Sequence, residues 1–257
     1  MKLAAVDWDE GRHRWADIAS QPFAPAMQTA FSYADASVSL DFAPSGATFA
    51  GRIAAQGLKP NFAYQIKLNG KPDRDPWANE QLGLAGRWWA TQTRKSDGSL
   101  VTAWRSNDDE FHRWKALGFT DGATDVVFEG YLLLDFLIAD PAGTAARDLT
   151  LDSSFHVLWK TLQREPHAED SEPLHHTVVA RAATGWYPVD LPDAPIAIYA
   201  EWEPGRARPG ECALPPGHYA TQLVLTEESF HEREPDRGSW ATVMSAPDVA
   251  FTIVSAL

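Results

Sequence analysis

Gly57-Leu58-Lys59-Pro60-Asn61-Phe62-Ala63-Tyr64 and Ala213-Leu214-Pro215-Pro216-Gly217-His218-Tyr219 turn the same kind of corner. Each leads directly into an alternating apolar run: Tyr64-Gln65-Ile66-Lys67-Leu68 after the first, Tyr219-Ala220-Thr221-Gln222-Leu223-Val224-Leu225 after the second. A period of two puts every second side chain on one face, as a half-buried β-strand requires. Within each corner proline fixes φ through the turn and leucine plugs the core beneath it. The tyrosine ring packs while its hydroxyl satisfies a backbone group of the turn.

Working outward, Ala36-Ser37-Val38-Ser39-Leu40-Asp41-Phe42-Ala43 alternates in the same way. A Pro44-Ser45-Gly46 turn separates it from Ala47 to Ala54, so three antiparallel strands in a meander are expected. Thr124 to Ile138 is long, apolar and rich in strand formers, and reads as one bent strand or two, with Gly130 at the bend. Further strands are expected at Ser154–Lys160, Thr177–Ala182, Ile196–Trp202 and Pro247–Val254, with a polar surface loop from Arg164 to Pro173. The first thirty residues, broken by Pro22 and Pro25, read as an irregular arm.

A leucine, a proline-containing turn and a tyrosine opening the next strand resemble the tyrosine corner of fibronectin type III and immunoglobulin-like sandwiches. The expected fold is all-β: an antiparallel β-sandwich with these features, elaborated by a long tryptophan-rich insertion that could hold short helices. One domain over residues 1–257, interrupted at about 71–122, is the simplest organisation. Two fused halves, 30–160 and 161–257, are the alternative.

The chain of 257 residues can bury a full core unaided. A formal charge of −13 argues against a nucleic-acid partner and against an anionic membrane surface. A single cysteine, Cys212, leaves no intramolecular disulfide. The N-terminal apolar stretch is short and followed at once by carboxylates, so a cytoplasmic location is expected.

Eleven tryptophans are an excess that needs a home, and five of them, Trp77, Trp88, Trp89, Trp104 and Trp114, fall in the insertion. From Arg74 to Lys115 seven Lys or Arg meet six Asp or Glu, so this stretch is nearly neutral within an acidic chain. Near-neutral, aromatic and arginine-bearing surface suits recognition, and Arg87-Trp88-Trp89 could stack a cation on indole. The candidate ligand-binding residues are therefore Trp77, Arg87, Trp88, Trp89, Trp104, Arg105 and Trp114. A helix is expected near Asp108–Lys115, where acids precede bases.

Catalytic motifs are sparse. Neither Gly-x-Ser-x-Gly, a phosphate-binding glycine loop, His-Glu-x-x-His nor Cys-x-x-Cys occurs. His175 and His176 would point to opposite faces of a strand, and Cys212 reads as an inert thiol. Asp135 is expected to play a local role, as a hydrogen-bonding group or at an exposed strand position, and the acidic stretches around Glu169 and from Glu227 to Asp236 read as solvated loops that could also steer a basic partner. No cofactor and no metal is expected. These observations point to a non-catalytic protein that binds a peptide or protein segment through the tryptophan-rich insertion, and that could also use strand addition to an exposed sheet edge. It could present a substrate peptide within a biosynthetic pathway, and it could form a homo-oligomer. A carbohydrate-binding sandwich, or an enzyme assembling a metal site from His156, His175 and Asp135, are the alternatives.

Overall fold

The computed structural model describes residues 1–6, 13–90, 104–106, 128–159, 171–181, 185–188, 190–202, 208–227 and 241–255. The first strands are β1 (Lys2–Ala5), β2 (Ser37–Phe42), β3 (Ser45–Gly46), β4 (Ala50–Gln56) and β5 (Ala63–Asn69). The insertion contributes β6 (Arg87–Ala90) and β7 (Trp104–Ser106), and the long apolar run forms β8 (Phe128–Ile138). Then come β9 (Ala145–Thr150), β10 (Phe155–Trp159), β11 (Ser171–Val179), β12 (Ala194–Trp202), β13 (Gly217–Glu227) and β14 (Ala241–Ile253). Helix α1 spans Pro25–Ala30, α2 spans Pro76–Ala85, and a 3₁₀ turn covers Tyr33–Asp35.

All-β is what these elements make. Eleven strands form one sheet in the order β7-β6-β8-β5-β13-β14-β1-β2-β4-β9, with β3 added in parallel to β14. A second sheet runs β10-β12-β11. Where two separate facing sheets were expected, the large sheet is continuous and curls as a half-barrel. Strand β1 is the joint: Lys2 and Leu3 pair with β2, whereas Ala4 and Ala5 pair with β14. Four residues are too few to show an alternation, which is why the sequence of this arm reads as irregular. The two wings close over one core, Val38, Leu40 and Ile53 from one side meeting Ile66, Leu68, Leu134 and Leu223 from the other.

Strand β8 stays a single strand, and Gly130 is small for another reason. A Cβ there would lie 2.1 Å from the Asn79 carbonyl oxygen of α2, so glycine lets the helix lie against the strand. Asn79 then bonds the strand backbone, donating to Phe128 O at 2.9 Å and accepting from Gly130 N at 2.7 Å. Asp75 caps α2 by accepting from Ala78 N, and Pro76 opens its first turn. The helix expected near Asp108–Lys115 lies outside the described residues. Strand β11 of the small sheet begins earlier than expected, at Ser171 rather than Thr177. Its inner face packs Phe155, Val157, Val179, Ile198 and Ala200 against Ile18, Ala63 and Phe136.

Candidate functional site: the first corner and the cleft beside it

Both corners form their hydrogen bonds, with opposite polarity. Tyr64 Oη accepts from the Lys59 amide, five residues upstream, at 2.9 Å. Tyr219 Oη donates to the Pro215 carbonyl, four residues upstream, at 2.6 Å. The second corner ends in apolar packing: the Tyr219 ring stacks on Phe251 at 5.2 Å and tilts against Trp77 at 5.1 Å.

The first corner continues into a buried network centred on Glu227, the last residue of β13. Lys59 Nζ donates to Glu227 Oε1 at 2.6 Å and to the Arg14 carbonyl at 2.7 Å. The Arg14 amide donates to Oε2 at 2.8 Å, Tyr33 Oη donates to Oε1 at 2.6 Å, and His13 Nδ1 lies 3.0 Å from Oε1. Tyr33 has spent its single proton on the carboxylate, so in its 3.0 Å bond with Tyr64 the Tyr64 hydroxyl is the donor. Lys59 and Glu227 side chains are 0% and 1% exposed. Burial alone would raise the Glu227 carboxyl, but the Lys59 charge and the bonds from His13 and Lys59 outweigh it and bring it to about 2. Burial lowers Lys59, and Glu227 pulls it back toward the charged form. Burial, reinforced by Glu227, raises both tyrosines.

On its other side the same corner holds the arm a second time. Asn61, at a left-handed φ of 52°, accepts from the Ile18 amide through its carbonyl and donates through Nδ2 to Tyr187 Oη and the Ala180 carbonyl. Asp17 is fully buried and receives Ala19 N, Gln21 N, Arg181 Nε and Tyr187 Oη. A short loop of sequence thus fixes residues 13–23 against the sheet at two charged points.

Four rings form a circuit around the Lys59 ammonium. Trp15 meets Phe31 edge-on at 6.2 Å, Phe31 meets Tyr33 at 4.8 Å, Tyr33 meets His13 at 5.7 Å, and His13 returns to Trp15 at 6.1 Å. The ammonium sits 4.1 Å from the Trp15 ring centre and 5.8 Å from those of Phe31 and Tyr33, within cation–π range. These rings also border a cleft of about 830 Å³ whose rim carries Gln28, Thr29 and Ser32. Ala5 and Val6, at the end of β1, also line it. Val6 N donates to Val243 O on the β14 side, so by strand alternation Ala5 directs its own N–H and C=O the other way. That lane is filled by β2 only as far as Leu3↔Val38. The next position of that chain whose amide would face β1, Ala36, has given its N–H to Tyr33 O. Among the described residues Ala5 therefore presents an open strand edge to the cleft.

No known family model, curated protein or solved structure matches the chain.

Among the residues expected to bind ligand, Trp88 is 0% exposed, its indole pressed onto Gly83 of α2 and edge-on to Phe128. It is a core residue: in this conformation a ligand cannot touch it. Trp77 is 41% exposed and leans on the second corner. Arg87 lies half-buried on β6, its guanidinium 2.6 Å from His156 Nε2; since guanidinium only donates, that nitrogen accepts and the imidazole carries its proton on Nδ1. Trp89, Trp104 and Arg105 belong to the β6–β7 hairpin at one end of the large sheet, and Trp114 lies outside the described residues. Arg87 shares its sheet face with Tyr131 and Glu129 of β8 and with Lys67 and Asn69 of β5. There Asn69 Nδ2 donates to Glu129 Oε1 at 2.6 Å, and burial raises the Glu129 carboxyl to about 7 against that bond.

Asp135 keeps the local role expected of it, accepting from Arg147 Nε at 3.0 Å and Phe136 N at 2.8 Å. Burial pushes the Cys212 thiol up to about 12. Among the described residues no three His, Cys, Asp or Glu side chains converge as a metal set, and His156, His175 and Asp135 do not form one.

Glu227 corrects the reading of its segment as a solvated loop. It ends the apolar run Leu223-Val224-Leu225-Thr226, and the strand carries it inward to the Lys59 ammonium. A lysine between the leucine and proline of the first corner was the available signal, since a corner that plugs a core has no apolar use for an ammonium group. Nothing in the sequence joined it to His13, Trp15, Phe31, Tyr33 and Glu227, because the partners lie up to 214 residues apart.

Proposed function

We propose that this protein is a non-catalytic binding protein that takes up a peptide or protein segment, built on a fibronectin type III-like frame. The observation that carries the binding reading is the cleft, where an open strand edge at Ala5 faces a wall of aromatic rings. An open edge supplies the backbone donors and acceptors that an extended chain needs, and ring-lined space accepts its side chains. The polar groups behind the wall are already committed to one another around Glu227, so the network serves as a rigid support rather than as a reagent.

The frame is supported by strand order. Apart from β1 and the inserted strands, β2-β4-β9 and β8-β5-β13-β14 follow the A-B-E and C′-C-F-G orders of immunoglobulin-like sandwiches when taken in chain sequence. On that mapping Tyr219, near the start of β13, falls at the E–F corner where such a tyrosine belongs.

Selection of a random peptide library on the immobilised protein tests the function. Enriched sequences that bind the native chain and lose affinity for Trp15→Ala are expected. Trp77→Ala in the same assay reports whether the exposed tryptophan of the insertion contributes. A library that yields no binder above background overturns the reading.

A further inference from the structure

We infer that the cleft takes one residue of an extended segment into the lane that β2 vacates at Ala5, and that it selects an uncharged aromatic or large aliphatic side chain there while rejecting Lys and Arg. The inference rests on the peptide-binding reading and specifies which peptides that site accepts.

The backbone half follows from register. Met1↔Leu40 and Leu3↔Val38 are successive bonded positions on the β2 side of β1, Met1 and Leu40 exchanging both of their backbone bonds. The next bonded position on that side is Ala5, and the residue that would continue β2 is Ala36, whose amide is turned away into the 3₁₀ turn. A guest residue can therefore exchange two hydrogen bonds with Ala5 without displacing any bond among the described residues. Ala5 is exposed, and it shares the cleft wall with the four rings.

The side-chain half follows from charge. Trp15, Phe31 and Tyr33 already hold the Lys59 ammonium, 4.1 Å from the Trp15 centre. A second cation brought to the same rings would share a ring quadrupole already engaged and would meet repulsion from Lys59, whose single buried counter-charge among the described residues, Glu227, is saturated. A guest carboxylate would enter a protein of formal charge −13. Apolar rings edged by Gln28, Thr29 and Ser32 suit a neutral side chain with a flat or bulky apolar body.

The test uses the full chain and a peptide recovered from selection, with binding measured by calorimetry. Replacing its anchor residue by Lys should weaken binding by about 30-fold or more, and exchange among Trp, Phe, Tyr and Leu by less than about tenfold. Ala5→Pro removes the open N–H while leaving the β14 side untouched, and should weaken the same peptide by about five- to tenfold. Ala5→Gly, which keeps the N–H, should bind nearly as the parent does. Circular dichroism and melting of both variants establish that they fold. Peptides that bind with Lys or Arg at the anchor as tightly as with Trp, or that are indifferent to Ala5→Pro in a folded variant, overturn this inference while leaving peptide binding intact. Failure of every peptide to bind the native chain overturns the function itself.

Discussion

The two tyrosine corners solve one local problem and then diverge. In each, a buried tyrosine hydroxyl closes a proline-containing turn, and in each the ring enters the main core. Beyond that point the second corner is inert: Tyr219 meets Phe251 and Trp77, and its hydroxyl bonds a single carbonyl. At the first corner Tyr64 passes a hydrogen bond on to Tyr33 and from there to Glu227, while Lys59 and Asn61 reach out to hold residues 13–23. Local geometry is thus shared, and what the turn carries decides whether it is only a plug or also the foundation of a cleft. Between leucine and tyrosine lie Lys-Pro-Asn-Phe-Ala in one case and Pro-Pro-Gly-His in the other. Charge at the first corner obliges the fold to supply a counter-charge, and that obligation draws the arm and the end of β13 together.

The most damaging way to break this comparison is to remove the carboxylate on which the first corner depends. Glu227→Ala leaves the Lys59 ammonium buried without its partner and should cost about 3–5 kcal/mol, read by urea denaturation. Loss of less than about 1 kcal/mol would mean that the network is incidental to the fold. Because the folded carboxyl lies near 2, below its usual value near 4.5, the stabilisation it supplies is present above about pH 4.5 and is lost as pH falls toward 2.

Removing one hydroxyl at a time sharpens the contrast. Tyr64→Phe strands the buried Lys59 amide and deprives Tyr33 of a bond, and should cost about 1–3 kcal/mol. Tyr219→Phe leaves only the part-buried Pro215 carbonyl unmet and should cost about 0.5–1.5 kcal/mol by the same measurement. Equal losses at the two corners would remove the distinction drawn between them.

A pH-dependent effect concerns the polar sheet face that carries Glu129. Glu129 binds its proton more tightly in the folded chain, near 7, than in the unfolded chain, near 4.5. Stability should therefore fall as pH rises from about 4.5 to 7, and Glu129→Gln should flatten that part of the pH profile. An unchanged slope in the variant would show that Glu129 is not the group responsible.

How far sequence carried these conclusions differs between the regions. Corners and alternation are local, and Tyr64, Tyr219 and the strands after them could be read directly from residue order. Gly130 looked like a bend because an isolated glycine in a strand carries two meanings, and only the presence of α2 against it selects close approach. Trp88 looked like an anchor because tryptophan serves cores and interfaces alike; Gly83 and Phe128, which enclose it, come from separate segments. The cleft was unreadable for the same reason. Ala5, Trp15, Tyr33 and Glu227 each look ordinary, Lys59 alone stands out, and their joint meaning arises only when β1 bridges the two wings.

Amide hydrogen exchange at Ala5, followed with and without a selected peptide, decides whether this edge is open and whether a guest fills it. In the free protein Ala5 N–H should exchange rapidly while Val6 N–H, bonded to Val243, is protected, and the peptide should slow Ala5 alone of the two. An Ala5 amide already protected in the free chain, or one that a bound peptide leaves as fast as before, would contradict an open edge that takes a guest.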